Sequence, residues 1–422
     1  MKSKWRAYHL DEITELVIDY RGKTPKKLGG DWSESGYRAL SAKNIKTGHL
    51  VQPDTIRFVS EEMYHKWMKD EIQRGDIIIT SEAPFGQILY WDSEEKIVLS
   101  QRLFGVRVKK EYDSKFVYYY MTTSDFQGEM DGRATGTTVV GLRQSELMKC
   151  VVRCPNLDTQ KKIASILSSI DEKILINDKI NENLEQQAVV LFRSWFSAFS
   201  LSPNSPRVNS EFGEIPKDFT VIKVGSLPIL VTDYVSNGSF ASLKANVSLY
   251  QEPNYAYFIR NTDLKSGSFG VFVDQHSYEF LSKSTLYGGE IIISNVGDVG
   301  SVFLCPKLDT HMTLGNNIIM LRPEDDHLRY YLYIWFKYLQ GQALIQGIKG
   351  GSAQPKFNKT DFKNTSILIP PKDILSRFHE TVAPMFEMIS HRQTETSRLA
   401  NLRDTLLPHL MSGEIDVSKL DI

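Results

Sequence analysis

Cysteine is scarce in this chain, and so is net charge. Of 422 residues only Cys150, Cys154 and Cys305 are cysteines. They form no disulfide framework, and the odd count fits a reducing compartment, so a cytoplasmic location is expected. No His or further Cys lies near Cys150 and Cys154 in the apolar, strand-like "MKCVVRCP", so both read as small core residues. With 50 Lys and Arg against 51 Asp and Glu, the formal net charge is −1. A nucleic-acid binder with this balance must gather its positive charge locally. No run approaches the roughly 20 apolar residues of a spanning helix. The opening "MKSKWRAYHL" has no apolar core of a signal peptide, so no membrane association is expected.

Reactive constellations are missing too. There is no Gly-rich loop of the Walker or dinucleotide type, no HExxH, and no H-x-E or CxxC zinc pattern. "PD" at Pro53–Asp54 and "EEK" at Glu94–Lys96 arise by chance among 51 acidic residues and do not make a metal nuclease. The single Pro-Pro, Pro370–Pro371, stands between Ile369 and Lys372, whereas an amino-methyltransferase needs Asn or Asp before it and an aromatic after it. No catalytic residue, metal ligand or cofactor is expected in this chain.

What is present is a repeat. "GDIIIT" (Gly75–Thr80) returns as "GEIIIS" (Gly289–Ser294), 214 positions later. "PFGQI" (Pro84–Ile88) matches "DVGSV" (Asp298–Val302), and "NIKTG" (Asn44–Gly48) matches "DLKSG" (Asp263–Gly267). "GTTVVGLRQSEL" (Gly136–Leu147) aligns with "GSAQPKFNKTDF" (Gly351–Phe362), and "CPNLDTQKKI" (Cys154–Ile163) with "IPPKDILSRF" (Ile369–Phe378). "WRAYHLDEI" (Trp5–Ile13) resembles "FTVIKVGSL" (Phe219–Leu227). Two copies are too few for a solenoid and point to two similar units about a pseudo-two-fold axis.

Each unit opens with a strand- and turn-rich head, residues 1–155 and 213–370. Each head has one aromatic stretch, "FVYYYM" (Phe116–Met121) and "RYYLYIWFKYL" (Arg329–Leu339). Cations beside aromatics can stack bases, but a helix packed on the sheet is the expected reading. A helical part follows, residues 156–200 and 371–422. Thr159 to Phe196 contains neither Gly nor Pro. Ile163, Ile170, Asn177, Leu184 and Leu191 recur every seven residues, with Leu167 and Ile174 opening a second column. The second copy gives Phe378, Met385, Arg392, Leu399 and Leu406. Pro384 and Pro408 predict a kink there, or a late start and early end. Both seams are polar at the centre, and the two helices are expected to pack as an antiparallel coiled coil. That register sets Ile163 near Leu406, Asn177 near Arg392 and Leu191 near Phe378. Residues 201–212, within the Pro/Ser/Asn-rich stretch Ser200–Pro216, read as a linker. The fold class is therefore α+β, two tandem units of β-rich head and long helix.

Polar and basic loops recur at matching places. In the first head they hold Lys23, Lys26, Lys43, Asn44, Arg102, Arg133, Thr137 and Arg143. In the second they hold Lys244, Arg260, Asn316, Lys349, Ser352, Gln354, Lys356 and Asn358. Lys and Arg suit phosphates, while Asn, Gln and Arg suit base edges. Any one loop by itself reads more readily as solvated surface. Their recurrence with different side chains is what two readers of two short sequences would show.

Across its whole length the chain resembles the specificity (S) subunit of type I restriction–modification systems. The order of head, helix, head, helix carries the resemblance, as do "WRAYHLDEI…GKTP", "GEIPKDFTVIKVGSL", the two head-to-helix junctions and "NLRDTLLPHLMSGEIDV" (Asn401–Val417). "DYVSNGSFASLKANV" (Asp233–Val247) is similar to a recurring second recognition domain. Asn156 stands where the second junction has Pro371, and "GTTVVGLR" lacks the Gln-Pro of "GSAQPKFN". The resemblance implies a non-catalytic reader of double-stranded DNA with one half-site per head. It implies two adenine-N6 methyltransferase (M) subunits docked on the helices, and restriction (R) subunits joining the complex. S-adenosylmethionine, ATP and magnesium would belong to those partners. The residues alone also allow a DNA-modifying enzyme with unrecognised motifs, or a coiled-coil adaptor that binds protein.

Overall fold

The computed structural model describes residues 5–136, 140–351, 354–418 and 420. The chain divides into two compact units, Met1–Ile176 with Thr396–Ile422, and Asn177–Glu395. The divisions fall inside the long helices rather than at residues 155 and 370. The physical reason is that each head shares its core with segments of both helices.

In the first unit an antiparallel sheet runs Thr14–Asp19, Leu103–Val108, Ile77–Thr80, Ile88–Tyr90. The second unit repeats that order with Ile229–Asp233, Ile318–Pro323, Ile291–Ser294 and Val302–Leu304. The triple isoleucines lie at its centre because both faces of the sheet are covered. Ile77 and Ile79 enter one core and Ile78 another, all at 0% exposure. Ile291 and Ile293 likewise part from Ile292, as side chains alternate along a strand. Gly75 and Gly289 enter these strands at φ of 97° and 86°, where a side chain would be strained. The acids that follow are buried and paired, Asp76 with Arg107 and Glu290 with Arg322.

On one face of each sheet lies the aromatic helix, Ser114–Met121 or His327–Lys337, with its rings buried. On the other lies a second sheet containing one parallel pair, Tyr37–Leu40 with Ile97–Leu99, or Ala256–Ile259 with His311–Leu314. This second sheet has three strands in the first unit and five in the second. Each head is closed by a strand near its start paired with its last strand, Arg6–His9 on Val151–Cys154 and Thr220–Lys223 on Ser366–Ile369. Cys150 and Cys154 are core residues, their thiols pushed up to about 11 and about 12 by burial.

The central helix spans Leu157–Phe192 and ends in a π-turn over Arg193–Ser197. The distal helix is one element, Lys372–Met411, so the late start and early end expected from its prolines are wrong. Pro384 and Pro408 lie on exposed turns with exposed Glu380 and Asp404 four residues before them. The carbonyls left without a donor therefore face water.

The pairing of the helices is antiparallel, as contacts inside each unit show. In the first, Ile163, Ala164 and Leu167 share a core with Leu410 and Met411, and Leu406 packs against it. In the second, the Phe378 ring lies 5.9 Å from that of Phe192 and 4.9 Å from that of Phe196. Ile170 is buried, and Leu184 and Leu399 are half-buried. Leu191 and Met385 pack against the second unit's core. The polar centre closes on itself: Asn177, at 0% exposure, donates to Glu395 Oε2 (2.8 Å) and accepts from Arg392 Nη1 (3.2 Å).

The expected linker is partly folded, which corrects the reading from its composition. Arg207–Ser210 pairs with Gly213–Pro216, and Phe212 meets the Trp335 ring edge-on at 5.5 Å. Two apolar anchors, Phe212 and Ile215, outweigh the polar residues around them.

Candidate nucleic-acid interface

At the end of the sheet beyond Thr80, four loops of the first head are tied into one surface. Ser81 N donates to Arg102 O (2.8 Å), and Ser81 O accepts from Leu142 N (3.0 Å). Thr135 and Gly141 exchange two backbone bonds of 2.9 Å. Ala42 N reaches Gln101 O at 3.2 Å, and Thr47 N reaches Gln87 Oε1 at 3.0 Å. Residues 41–48, 81–87, 100–102, 134–136 and 140–143 therefore make one patch.

The second head builds the same patch at matching positions. Asn295 N donates to Asn317 O (3.1 Å), and Phe357 N to Asn295 O (3.0 Å). Gly350 and Lys356 exchange bonds of 2.8 and 2.9 Å. Asp298 holds Lys265 Nζ (2.7 Å) and Asn261 Nδ2 (3.3 Å). A glutamine clamps each patch to its aromatic helix. Gln127 Nε2 donates to Gly86 O and Met121 O, and Gln342 Nε2 to Gly300 O and Phe336 O. Even the backbone strain is duplicated, with Arg102 at φ 66° and Asn317 at φ 64°. The frame is shared, yet the side chains on it differ.

Lys43 and Arg143 are exposed on the first patch, as are Asn316, Lys349, Gln354 and Lys356 on the second. Arg102 is there too, paired with Glu82 at 3.1 Å but 45% exposed. Asn358 is exposed, with its side chain capping the short helix Lys359–Lys363. Lys26 and Lys244 are exposed on flanking loops. Asn44 is a correction: it is 0% exposed and bonds Ser41, Thr55 and the Gln52 carbonyl, so it shapes its loop and cannot meet a ligand. Three cations are already engaged. Arg133 pairs with Glu129 (3.1 Å) and lies 3.8 Å from Glu146. Arg260 grips Asp263 at 2.7 and 2.9 Å. Lys23 donates to Trp67 O (2.8 Å), with its pKa lowered by burial and by Lys69. Thr137 and Ser352 lie outside the described residues. Among the described residues no cluster of His, Cys, Asp and Glu could hold a metal ion. No described helix is long and apolar enough to cross a membrane.

The family model for the type I restriction modification DNA specificity domain matches residues 2–186 and 231–391. The chain belongs to this DNA-specificity family. A specificity subunit of the type I enzyme MjaIX from Methanocaldococcus jannaschii is 28% identical over 358 residues, covering 82% of this chain and 79% of the relative. That of HindI from Haemophilus influenzae is 24% identical over 413 residues, covering 82% and 88%. A crystal structure of the type I system S subunit from M. genitalium shares the fold, with a TM-score of 0.55 at 17% identity and coverage of 97% and 96%. The role of this specificity chain is DNA sequence recognition rather than catalysis, and its two family matches fall one in each copy of the repeat.

Several residues of the specificity chain's surface were not legible beforehand. Arg21 holds Asp19 at 2.9 Å, lies 4.0 Å over the Phe104 ring and donates to Leu142 O (3.3 Å). Lys359 holds Asp233, the equivalent of Asp19, at 3.1 Å. The recurrence of Asp at an offset of 214 was the available signal. Phe240 is 82% exposed, and no pattern signals an aromatic that is left in water.

Exposed cations that hold no carboxylate in an ion pair make the salt test specific. Arg143→Ala, Lys349→Ala and Lys356→Ala should each weaken DNA binding and reduce the slope of log K against log salt by about 0.9 per lost phosphate contact. Arg133→Ala should leave the slope unchanged, because its guanidinium is already neutralised. Binding isotherms from about 50 to 200 mM salt measure this; unchanged slopes in the first three would place the patches away from DNA.

Proposed function

We propose that the two patches read the two halves of a bipartite target in double-stranded DNA, one half per head. Recognition domains at 1–155 and 213–370 are joined by helical spacers at 156–200 and 371–422, which dock two adenine-N6 methyltransferase subunits. Restriction subunits join through that complex. S-adenosylmethionine, ATP and magnesium are held by these partners, which flip the target adenine out of the duplex to methylate it. On this reading the chain works in the cytoplasm. The observation that carries the reading is the duplicated patch: one backbone frame presents Lys43, Arg102 and Arg143 in one head and Asn316, Gln354 and Lys356 in the other. A common scaffold with divergent polar loops suits two different base sequences. Exchanging residues 1–155 for the first domain of another family member tests it. Mapping methylated adenines should show one half-site changed and the other retained; change in both halves, or in neither, would reject modular reading.

A further inference from the structure

Each aromatic helix is bonded to the central helix through a tyrosine hydroxyl. In the first unit Tyr119 OH donates to Asp171 Oδ2 at 2.5 Å, and Arg403 Nη1 holds the other oxygen at 2.8 Å. In the second, Glu185 Oε1 accepts from Tyr333 OH (2.6 Å), Lys337 Nζ (2.6 Å) and Tyr338 OH (3.1 Å). Duplication does not account for this. Through the glutamine clamps the repeat pairs Gln127 with Gln342, an offset of 215, and that offset sets Tyr119 against Ile334 rather than Tyr333. It sets Asp171 against Phe386 and Glu185 against Ala400. Phe386 packs edge-on against the Tyr333 ring at 5.5 Å, and the hydroxyl turns to the central helix instead. The same bond has thus been built twice from non-equivalent residues. Asp171 and Glu185 each follow a seam position, Ile170 and Leu184, and are fourteen residues apart, so they share one heptad phase. Tyr119 and Tyr333 belong to the helices whose C-terminal turns are clamped to a loop of the reading patch by Gln127 and Gln342.

We infer that Tyr119 and Tyr333 are positioning residues for target spacing, pinning each reading patch to a fixed point on the central helix. The inference rests on the two-half-site reading. Apolar packing resists separation of head and helix but resists sliding or rotation weakly; a short bond to a carboxylate is directional. One base pair added between half-sites shifts them by about 3.4 Å and about one tenth of a turn. A head free to rock would accommodate that step.

The test uses the full chain assembled with its methyltransferase subunits and duplexes whose half-site spacing varies one base pair at a time. Wild type should prefer one spacing by about tenfold or more over its neighbours, and Tyr119→Phe/Tyr333→Phe should flatten this to about threefold. Thermal midpoint and affinity for either half-site alone should stay as in wild type. The single variants, each showing a partial effect, carry the test if the double variant fails to assemble. Glu185→Gln keeps an acceptor for Tyr333 and should keep the preference; its loss there would assign positioning to the Lys337 ion pair and overturn the role of Tyr333. An unchanged spacing ratio in the tyrosine variants, whatever their stability, would reduce both hydroxyls to packing. A wild-type complex with no preferred spacing would instead reject the bipartite reading itself.

Discussion

Arg107→Ala is expected to destabilise the first unit by about 3–5 kcal/mol, the cost of stripping the partner from a buried charge. The Asp76 side chain is 2% exposed and accepts from Arg107 Nε and Nη2 at 2.9 and 2.8 Å. Once the guanidinium is gone, the carboxylate keeps the Gln73 N–H at 2.8 Å. The carboxylate cannot reach water without opening the turn that leads into Ile77–Thr80, the strand at the heart of the sheet. The equivalent change in the second unit, Arg322→Ala, should cost less. Glu290 loses bonds of 3.2 and 3.1 Å but keeps the N–H groups of Tyr287 and Gly288, at 2.8 and 2.9 Å. Denaturant unfolding, with the two units followed by separate probes, measures both losses. A loss below about 1 kcal/mol for Arg107→Ala would mean that Asp76 is hydrated in the native state.

Phe378→Ala should be as damaging in the second unit, again by about 3–5 kcal/mol. Its ring is 0% exposed and packs among Phe192, Trp195 and Phe196, with centroids at 5.9, 5.8 and 4.9 Å. These neighbours sit on the last helical turn and the following π-turn of the central helix, where a cavity cannot close without unwinding that turn. Because the ring joins the two helices to the head in one core, the loss should appear as a lower midpoint for the whole second unit. The thermal transition of the first unit should be unmoved. A change confined to fraying of the distal helix start, with the second unit's midpoint retained, would show that the helices do not share this core.

Phe378 was legible in the sequence because it falls on one of two seven-residue columns, its own with Arg392 and the other with Ile163, Asn177 and Leu191. Such a column is a local property: apolar spacing along one helix dictates which side must be covered, whereas two columns with polar centres match in either direction, and the antiparallel expectation rests on the separation that two readers of a split site need. The duplicated sheet was legible for a similar reason, since three successive isoleucines are tolerated only where both faces of a strand are buried. The prolines of the distal helix misled, because whether Pro384 breaks a helix depends on where the freed carbonyl points, and that follows from which side faces water. Asn44 and Arg260 misled for a related reason. Nothing in "SAKN" or "RNTD" distinguishes a side chain offered to a ligand from one closing its own turn. That distinction depends on partners such as Thr55, eleven residues away from Asn44, and on the Asp263 carboxylate that grips Arg260. The anchoring tyrosines lay furthest from view. Repeat offsets set Tyr119 against Ile334, and only packing aims Tyr119 and Tyr333 at carboxylates 52 and 148 positions away. Sequence periodicity determined the elements and their duplication, because those are set by solvent exclusion along each segment, whereas the direction of the helix pair is fixed by contacts such as Ile163 with Leu410 and Phe192 with Phe378. Which polar groups are free to meet DNA, and which are bound to one another, was decided by tertiary contacts between residues remote in the chain.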